Sequence, residues 1–318
     1  MNSKGSAVRN LLINRVLPIG EILLVAGIWG SSFVGVKMAL DHAGPLTIAA
    51  LRYSIAAALL MPWIVHSRKK GSSLQGTDWR KLAMIGFSQY VVGNGALFLA
   101  LRTVTSTSAS LAVSLVPIPI VLLEIIHLRE RPSRLHLAGI LIAVTGSVAF
   151  FVSDLGAITP GTLGLLALAT ISFAFMPVLG RDLALKKVVR TIELTGIPLA
   201  IGGGVLLVLA AAFEGLPHLP LQTWGIIIGL ALINTLAAYL LFNHALKHLR
   251  AGEANILLNM TPAATALIAW GALGDRLVGM QMVGLAIVIV GATLAQKRKR
   301  TLEAVSNPNS ETAGVHGG

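Results

Sequence analysis

The chain has 318 residues, 55% of them hydrophobic and 12% charged, with a mean hydropathy of +0.79 and a formal net charge of +12. Soluble domains carry about 25% charged residues, so this composition excludes an ordinary soluble domain and points to a chain that lives in a bilayer. With no cysteine, disulfides and thiolate metal sites are excluded, and the lysines and arginines, confined to short connections between apolar runs, are no nucleic-acid footprint.

Residues 1–16 form a basic lead-in, and no cleavable signal peptide is expected, because the first apolar run is a full span with no A-x-A-like site and no soluble chain behind it. Ten apolar runs follow, at 17–39, 46–66, 81–101, 104–127, 134–153, 161–182, 191–213, 221–246, 251–273 and 278–296. Each is near the ~20 residues that carry a helix across ~30 Å of hydrocarbon. Helices are the economical choice, because lipid offers backbone polar groups no partner. The connections are short and rich in Gly, Pro and Asp, as in Asp41-His42-Ala43-Gly44-Pro45, Thr159-Pro160-Gly161 and Gly215-Leu216-Pro217. The tightest fall at 101–104 and 246–251. The tail 297–318 opens on Lys297-Arg298-Lys299-Arg300 and then turns polar and Gly-rich, so disorder is expected there. Basic residues gather on the side of Arg9 and Arg15, in the connections with Arg68-Lys69-Lys70, Arg129-Arg131-Arg134, Lys186-Lys187-Arg190 and Lys247-Arg250. That bias places both termini in the cytoplasm.

The chain repeats itself. At an ungapped offset of 145 residues, Ala100 falls on Ala245, Ala109 on Ala254, Pro117 on Pro262, Glu130-Arg131 on Asp275-Arg276, Gly139 on Gly284, Gly146 on Gly291 and Trp79 on Trp224. The predicted organisation is a cytoplasmic segment 1–16, a first five-helix repeat 17–153, a second 161–296 and a cytoplasmic tail 297–318. Five spans is an odd number, so the halves lie upside down relative to each other. The fold class is an all-α membrane protein of ten transmembrane helices, two inverted five-helix repeats around a central cavity. Such repeats build transporters whose substrate site lies near the midplane where the halves meet.

Polar residues at membrane depth mark candidates for that site. Tyr90, Asn94 and Phe98 share one helical face in the third span, and the offset carries them onto Thr235, Tyr239 and Asn243 in the eighth. Ser110 and Ser114 of the fourth span map onto Asn255 and Asn259 of the ninth. These stripes, with Trp29 of the first span, are predicted to face the cavity. Amides and hydroxyls there suit an amino acid's ammonium and carboxylate, and Trp29, Tyr90, Phe98 and Tyr239 suit an apolar side chain. Interhelical hydrogen bonding is the competing reading for each polar residue. Gln89 and Asn234 sit one face away and are assigned to packing. Pro117, Pro119 and Pro262 interrupt helices, either as fixed kinks or with the carbonyls of Val113 and Leu258 turned to the cavity. Arg52 is expected to snorkel or to pair with a carboxylate or helix C-terminus, and is otherwise the best partner for a substrate carboxylate. Lys37 and Arg181 are expected as interface anchors, Glu124 to snorkel or pair with Arg129, Glu130 and Asp275 to complement helix dipoles, and His244 to pack. Gly27, Gly30, Gly35, Gly139, Gly146, Gly284 and Gly291 should let helices approach, and Gly202-Gly203-Gly204 reads as a thin or bending point.

The stretches LLVAGIWGSSFVGVKMAL and PLTIAALRYSIAAALLMP, with the spacing from Glu130 to Gly139, resemble the drug/metabolite transporter superfamily, above all its EamA-type ten-helix members, over roughly 17–296. The second half departs where Phe173-Ala174-Phe175-Met176-Pro177 replaces Trp29-Gly30-Ser31-Ser32-Phe33. Trp29 also stands where the related small multidrug pumps carry a membrane-embedded Glu. The resemblance implies an inner (plasma) membrane carrier, usually an exporter of amino acids or similar small metabolites. A monomer is expected, with the bilayer and a small-molecule substrate as partners and no cofactor, metal or nucleic acid. A carrier of nucleotide sugars or other phosphorylated or drug-like solutes is the alternative, disfavoured because Arg52 is the one plausible deep cation. An enzyme is disfavoured too: all five aspartates lie at or outside span ends, and neither H-E-x-x-H nor G-x-S-x-G occurs.

Overall fold

The structure, a computed structural model, describes residues 15–69, 79–123, 125–126, 134–152, 158–185, 189–249, 251–276 and 279–297. Glu124, Glu130 and the tail from 298, named above, lie outside the described residues. Taking runs interrupted only by a π-helical stretch or a short break as one helix, the chain forms α1 (Leu17–Ala39), α2 (Pro45–Lys69), α3 (Trp79–Ala100), α4 (Ser106–Leu123) and α5 (Arg134–Val152). The second half forms α6 (Pro160–Ala184), α7 (Thr191–Phe213), α8 (Leu221–Ala245), α9 in two segments (Ala251–Leu258 and Thr261–Leu273) and α10 (Gly279–Lys297). Among the described residues there is no strand. Among the described residues, seven helices, α1–α4 and α6–α8, are long and apolar enough to cross a membrane. The apolar stretches of α5, α9 and α10 are shorter: Leu137–Phe150, Thr261–Leu273 and Gly279–Gly291.

Local sequence sets the ends. Thr105 caps α4 by accepting from Ser108 N (3.1 Å), and Thr159 caps α6 by accepting from Thr162 N (3.2 Å) with Pro160 at the first helical position. Arg190 N donates to Glu193 at the start of α7 (3.0 Å), and Gly274 ends α9 with φ +72.

Equivalent helices of the two halves pack on each other. The broadest contacts join α5 to α10 and α2 to α7, while α1 lies against α8 and α9 as α6 lies against α3 and α4. Both equivalent pairs run antiparallel. Along α5 and α10, Gly139 O and Ala143 N approach Gly291, whereas Phe150 N approaches Gly284. Along α7 and α2, Gly196 meets Leu60 and Ile64, and Gly203 meets Tyr53 and Ser54. Rising numbers on one helix meet falling numbers on the other, the relation that an inverted repeat requires. Gly146, Gly284 and Gly291 let backbones touch, and Gly30 does the same for α1 against Ala264 and Thr265. Gly27 meets nothing within 4 Å, so its expected role in a seam is not seen. The triple glycine is a correction as well: α7 runs unbroken through it, and Gly202 and Gly203 instead admit Tyr90 and the α2 backbone.

Polarity runs from inside to outside in the manner of a bilayer protein. Leu141 (67% exposed), Val208 (69%) and Leu267 (71%) face outward, whereas Thr235, Asn243 and Ser147 are wholly buried. Three ties fasten the end at which α1 begins: Arg15–Glu253 (3.1 Å), Glu21–His244 (2.9 Å) and Lys81–Asp182. His244, expected merely to pack, thus joins α8 to α1. At the other end Glu214 seats its carboxylate on the start of α2, accepting from Leu46 N (3.0 Å), Thr47 N (2.8 Å) and Thr47 Oγ1 (2.7 Å). A Cβ at Gly44 would strike that carboxylate, which accounts for glycine there.

The two cations expected at the interface do something else. Lys37 Nζ donates to the carbonyls of Leu101 (2.6 Å) and Val104 (2.9 Å), and Arg181 Nη1 donates to those of Leu246 (3.4 Å) and Leu249. Each cation therefore holds the tight turn of its own half, between α3 and α4 or between α8 and α9, where helix-end carbonyls lack intrahelical partners.

Candidate functional site

The repeat also places irregular backbone symmetrically. A π-helical stretch runs Gly86–Asn94 in α3 and Leu230–Ala237 in α8. α4 breaks at Ser114–Val116 ahead of Pro117, and α9 at Asn259–Met260 ahead of Pro262, because proline cannot donate to the preceding turn. The offset carries Ser114 onto Asn259, so the two breaks are equivalent. Widened and broken helix at membrane depth is tolerated where it lines a cavity.

Three of these stretches border one cavity between the halves, and the fourth, Leu230–Ala237, reaches it through Arg52, which bonds Thr235 and Asn234 and itself lines the space. Its empty volume is about 850 Å³ with the open space at its mouth included, and about 100 Å³ of it is open to the centres of water-sized molecules. One water needs roughly 10–15 Å³ by that measure, so the space holds several waters or a small solute. Val113 and Leu258, four residues ahead of Pro117 and Pro262, both border it, with Val113 O accepting from Val116 N (3.0 Å).

Eight of the eleven predicted residues line this cavity: Trp29, Asn94, Phe98, Ser110, Ser114, Tyr239, Asn255 and Asn259. The serines are held by their own helix, Ser110 Oγ donating to Thr107 O (2.8 Å) and Ser114 Oγ to Leu111 O (2.6 Å). Asn94 Nδ2 donates to Gln89 O (2.7 Å), closing the π-helical turn. Asn259 is 3% exposed, and its amide has no hydrogen-bond partner among the described residues. Rings fill one side. Trp29 stacks at a tilt on Tyr239 (5.2 Å between centroids) and on Phe242 (5.3 Å), and the series continues through Tyr90 (5.4 Å from Tyr239) to Tyr53 (4.8 Å from Tyr90).

Three predicted residues stand elsewhere. Tyr90 lies behind the wall, wholly buried between Tyr53 and Tyr239. Thr235 is turned aside to Arg52, and Asn243 donates to Thr195 Oγ1 of α7 (2.8 Å). The cause in the first two cases is the π-helix: its i→i+5 turn rotates the face that an ordinary helical period would present. The same rotation brings in Gln89, which was assigned to packing. It lines the cavity and donates from Nε2 to Tyr239 Oη (3.0 Å). Asn234, its equivalent, does pack, donating to Ser31 Oγ (2.9 Å) and Ile28 O.

Arg52 does not snorkel, and among the described residues it finds no carboxylate. It is 3% exposed and borders the cavity, with Nε on Thr235 Oγ1 (2.6 Å), Nη1 on Ser32 Oγ (2.7 Å) and Nη2 on Asn234 O (3.0 Å). Its guanidinium also faces the rings of Tyr53 (5.3 Å) and Phe98 (5.9 Å). Ser32, Phe173, Met176 and Phe242, four of the lining residues that sequence reasoning did not place at the cavity, come from α1, α6 and α8. Ser32, Phe173 and Met176 lie within the aligned segments 29–33 and 173–177, which signal the spot in outline. Among the described residues no group of three or more metal-ligating side chains occurs.

Comparison with known proteins agrees with this architecture. A family model described as the EamA-like transporter family matches residues 18–152 and again residues 161–296. An "Uncharacterized transporter" of Archaeoglobus fulgidus is 25% identical over 285 residues, covering 86% of this chain and 94% of its own. The "Uncharacterized inner membrane transporter YedA" of Escherichia coli (strain K12) is 24% identical, covering 88% and 91%. A "Probable terminal-alkyne amino-acid exporter" of Streptantibioticus cattleyicolor is 23% identical, covering 88% and 93%. A solved crystal structure of another protein shares the fold with a TM-score of 0.69 at 21% identity, covering 89% of this chain and 97% of that one. With the family model matched twice over most of the sequence, the chain belongs to the EamA-like transporter family and is a multi-pass membrane protein.

Proposed function

We propose that this protein is an inner-membrane carrier that exports amino acids or similar small metabolites by alternating access, with no covalent chemistry on the solute. In this reading ten helices span the bilayer as two inverted repeats, 17–153 and 161–296, with both termini in the cytoplasm, and the monomer is the working unit. The observation that carries it is the cavity between the halves, polar at equivalent breaks (Ser114 and Asn259) and aromatic along Trp29, Tyr239 and Phe242. That mixture suits a small amphipathic solute. The relative named as a probable amino-acid exporter supports the same direction. Carriage of phosphorylated solutes is disfavoured, because Arg52 is the one cationic side chain at the cavity among the described residues.

Reconstituted protein tests this. Proteoliposomes should exchange labelled amino acids across a panel, with the solute recovered unchanged. Tyr239→Ala and Asn94→Ala should each lower flux at least about tenfold, the equivalent of ~1.4 kcal/mol. A panel without amino-acid flux, together with full activity of both variants on whatever solute does move, would end the reading.

A further inference from the structure

The cavity holds a buried cation with no protein counterion among the described residues. A guanidinium has five N–H donors, and the structure engages three of them, all on neutral acceptors: Thr235 Oγ1, Ser32 Oγ and Asn234 O. Subtraction leaves two, one on Nη1 and one on Nη2, the pair that a single carboxylate bridges in fork geometry. No carboxylate lies within ion-pair distance of Arg52 among the described residues, and no Asp or Glu lines the cavity. Five acids of the described residues are engaged at the helix ends: Glu21 with His244, Glu253 with Arg15, Asp182 with Lys81, Glu193 at the start of α7 and Glu214 at the start of α2. A buried charge left without a counterion is unfavourable, so an anion that enters the cavity gains what the protein does not provide. A cation there is repelled by the guanidinium and meets only neutral groups.

We propose that Arg52 is the anchor for the carboxylate of the transported solute, and that this carboxylate, rather than an ammonium group, is the feature the cavity requires. This rests on the cavity being the transport site. The substrate class is an amphipathic monocarboxylate, zwitterionic or net −1, whose apolar part lies along Trp29, Tyr239 and Phe242. An ammonium group, where present, meets only neutral groups such as the amide of Asn259. Thr235, Ser32 and Asn234 act as positioning residues: they take up the guanidinium's other donors and fix the fork. The anchor also spans both halves, since Arg52 belongs to α2 and two of its three partners to the π-helical stretch of α8.

Two matched sets of ligands test the assignment on the purified full-length protein, with ligand-induced thermal stabilisation as the readout. One set is phenylalanine, 3-phenylpropionate and phenethylamine. The other is leucine, 4-methylpentanoate and isoamylamine. Carboxylate-bearing members of at least one set should stabilise the protein, and the amines should not. R52Q should weaken that carboxylate binding at least about tenfold, as loss of hydrogen bonds from a charged donor does, with R52K falling between. Should R52Q fail to fold, the wild-type ligand sets decide alone. An amine that binds as well as its acid, undiminished affinity in a folded R52Q, or silence from every acid would overturn the assignment. Binding of a deaminated acid but not of its amino acid would support Arg52 as the anchor while removing the amino-acid reading above.

Discussion

Gly284→Ala is expected to destabilise the protein by on the order of 1–3 kcal/mol, the usual cost of overpacking a close contact, and to lower the yield of monodisperse protein. A Cβ on Gly284 would stand 2.6 Å from Gly146 O and 2.7 Å from Phe150 N. Both neighbours are backbone atoms on α5, so no side chain can swing away. Relief requires α5 and α10 to separate, along the broadest helix contact in the molecule. The change Gly146→Ala on the facing side of the seam meets Gly284 O and Val288 N, both at 2.7 Å, and should cost as much. Gly225→Ala and Gly229→Ala meet nothing within 4 Å and serve as controls. Thermal unfolding in detergent measures all four. Gly284→Ala with the midpoint of its controls would mean that the two halves do not pack along this seam.

The second large effect concerns the paired cations. Lys37→Met should strand the carbonyls of Leu101 and Val104 that the ammonium now serves, and loosen the turn between α3 and α4. Hydrogen bonds to a charged group contribute ~1.5–3 kcal/mol each, so a comparable loss of stability is expected. Arg181→Met should do the same to the turn between α8 and α9. Because the two halves meet the same need with different cations, the exchanges Lys37→Arg and Arg181→Lys should retain most of the stability that methionine removes. Thermal midpoints of the four variants check this. Equal loss in the charge-conserving and methionine variants would show that packing, not the cation, holds these turns.

Much of the fold was legible because its signals are local or repeated. Apolar runs mark the helices, and the recurrence of Gly139, Gly146, Gly284 and Gly291 at one offset anticipates the seam between α5 and α10. Ser110, Ser114, Asn255 and Asn259, paired by the same offset, all line the cavity. What stayed hidden depends on tertiary contact or on irregular helix. A period of 3.6 residues cannot foresee the π-helical stretches, which is why the sequence reading puts Tyr90 and Thr235 at the cavity and Gln89 in the packing. For Arg52 the sequence offers snorkelling, a carboxylate, a helix C-terminus or a substrate carboxylate, because nothing adjacent in sequence names its partners. Ser32, Asn234 and Thr235 arrive from α1 and α8. Lys37 and Arg181 matched at an offset of 144 and the turns they hold at 145, so the pairing was visible, but only the structure connects cation to carbonyl.

Water and solute are expected to enter the space between the two halves. The chain has no cysteine, so single-cysteine variants need no cleared background. Ser114→Cys and Asn259→Cys, at the equivalent breaks, should react with a membrane-impermeant thiol reagent in proteoliposomes, lose transport as they do so, and be protected by saturating substrate. Leu141→Cys and Leu267→Cys, on the outward apolar surface, should react far more slowly. Unreactive cysteines at 114 and 259 beside reactive ones at 141 and 267 would contradict the account.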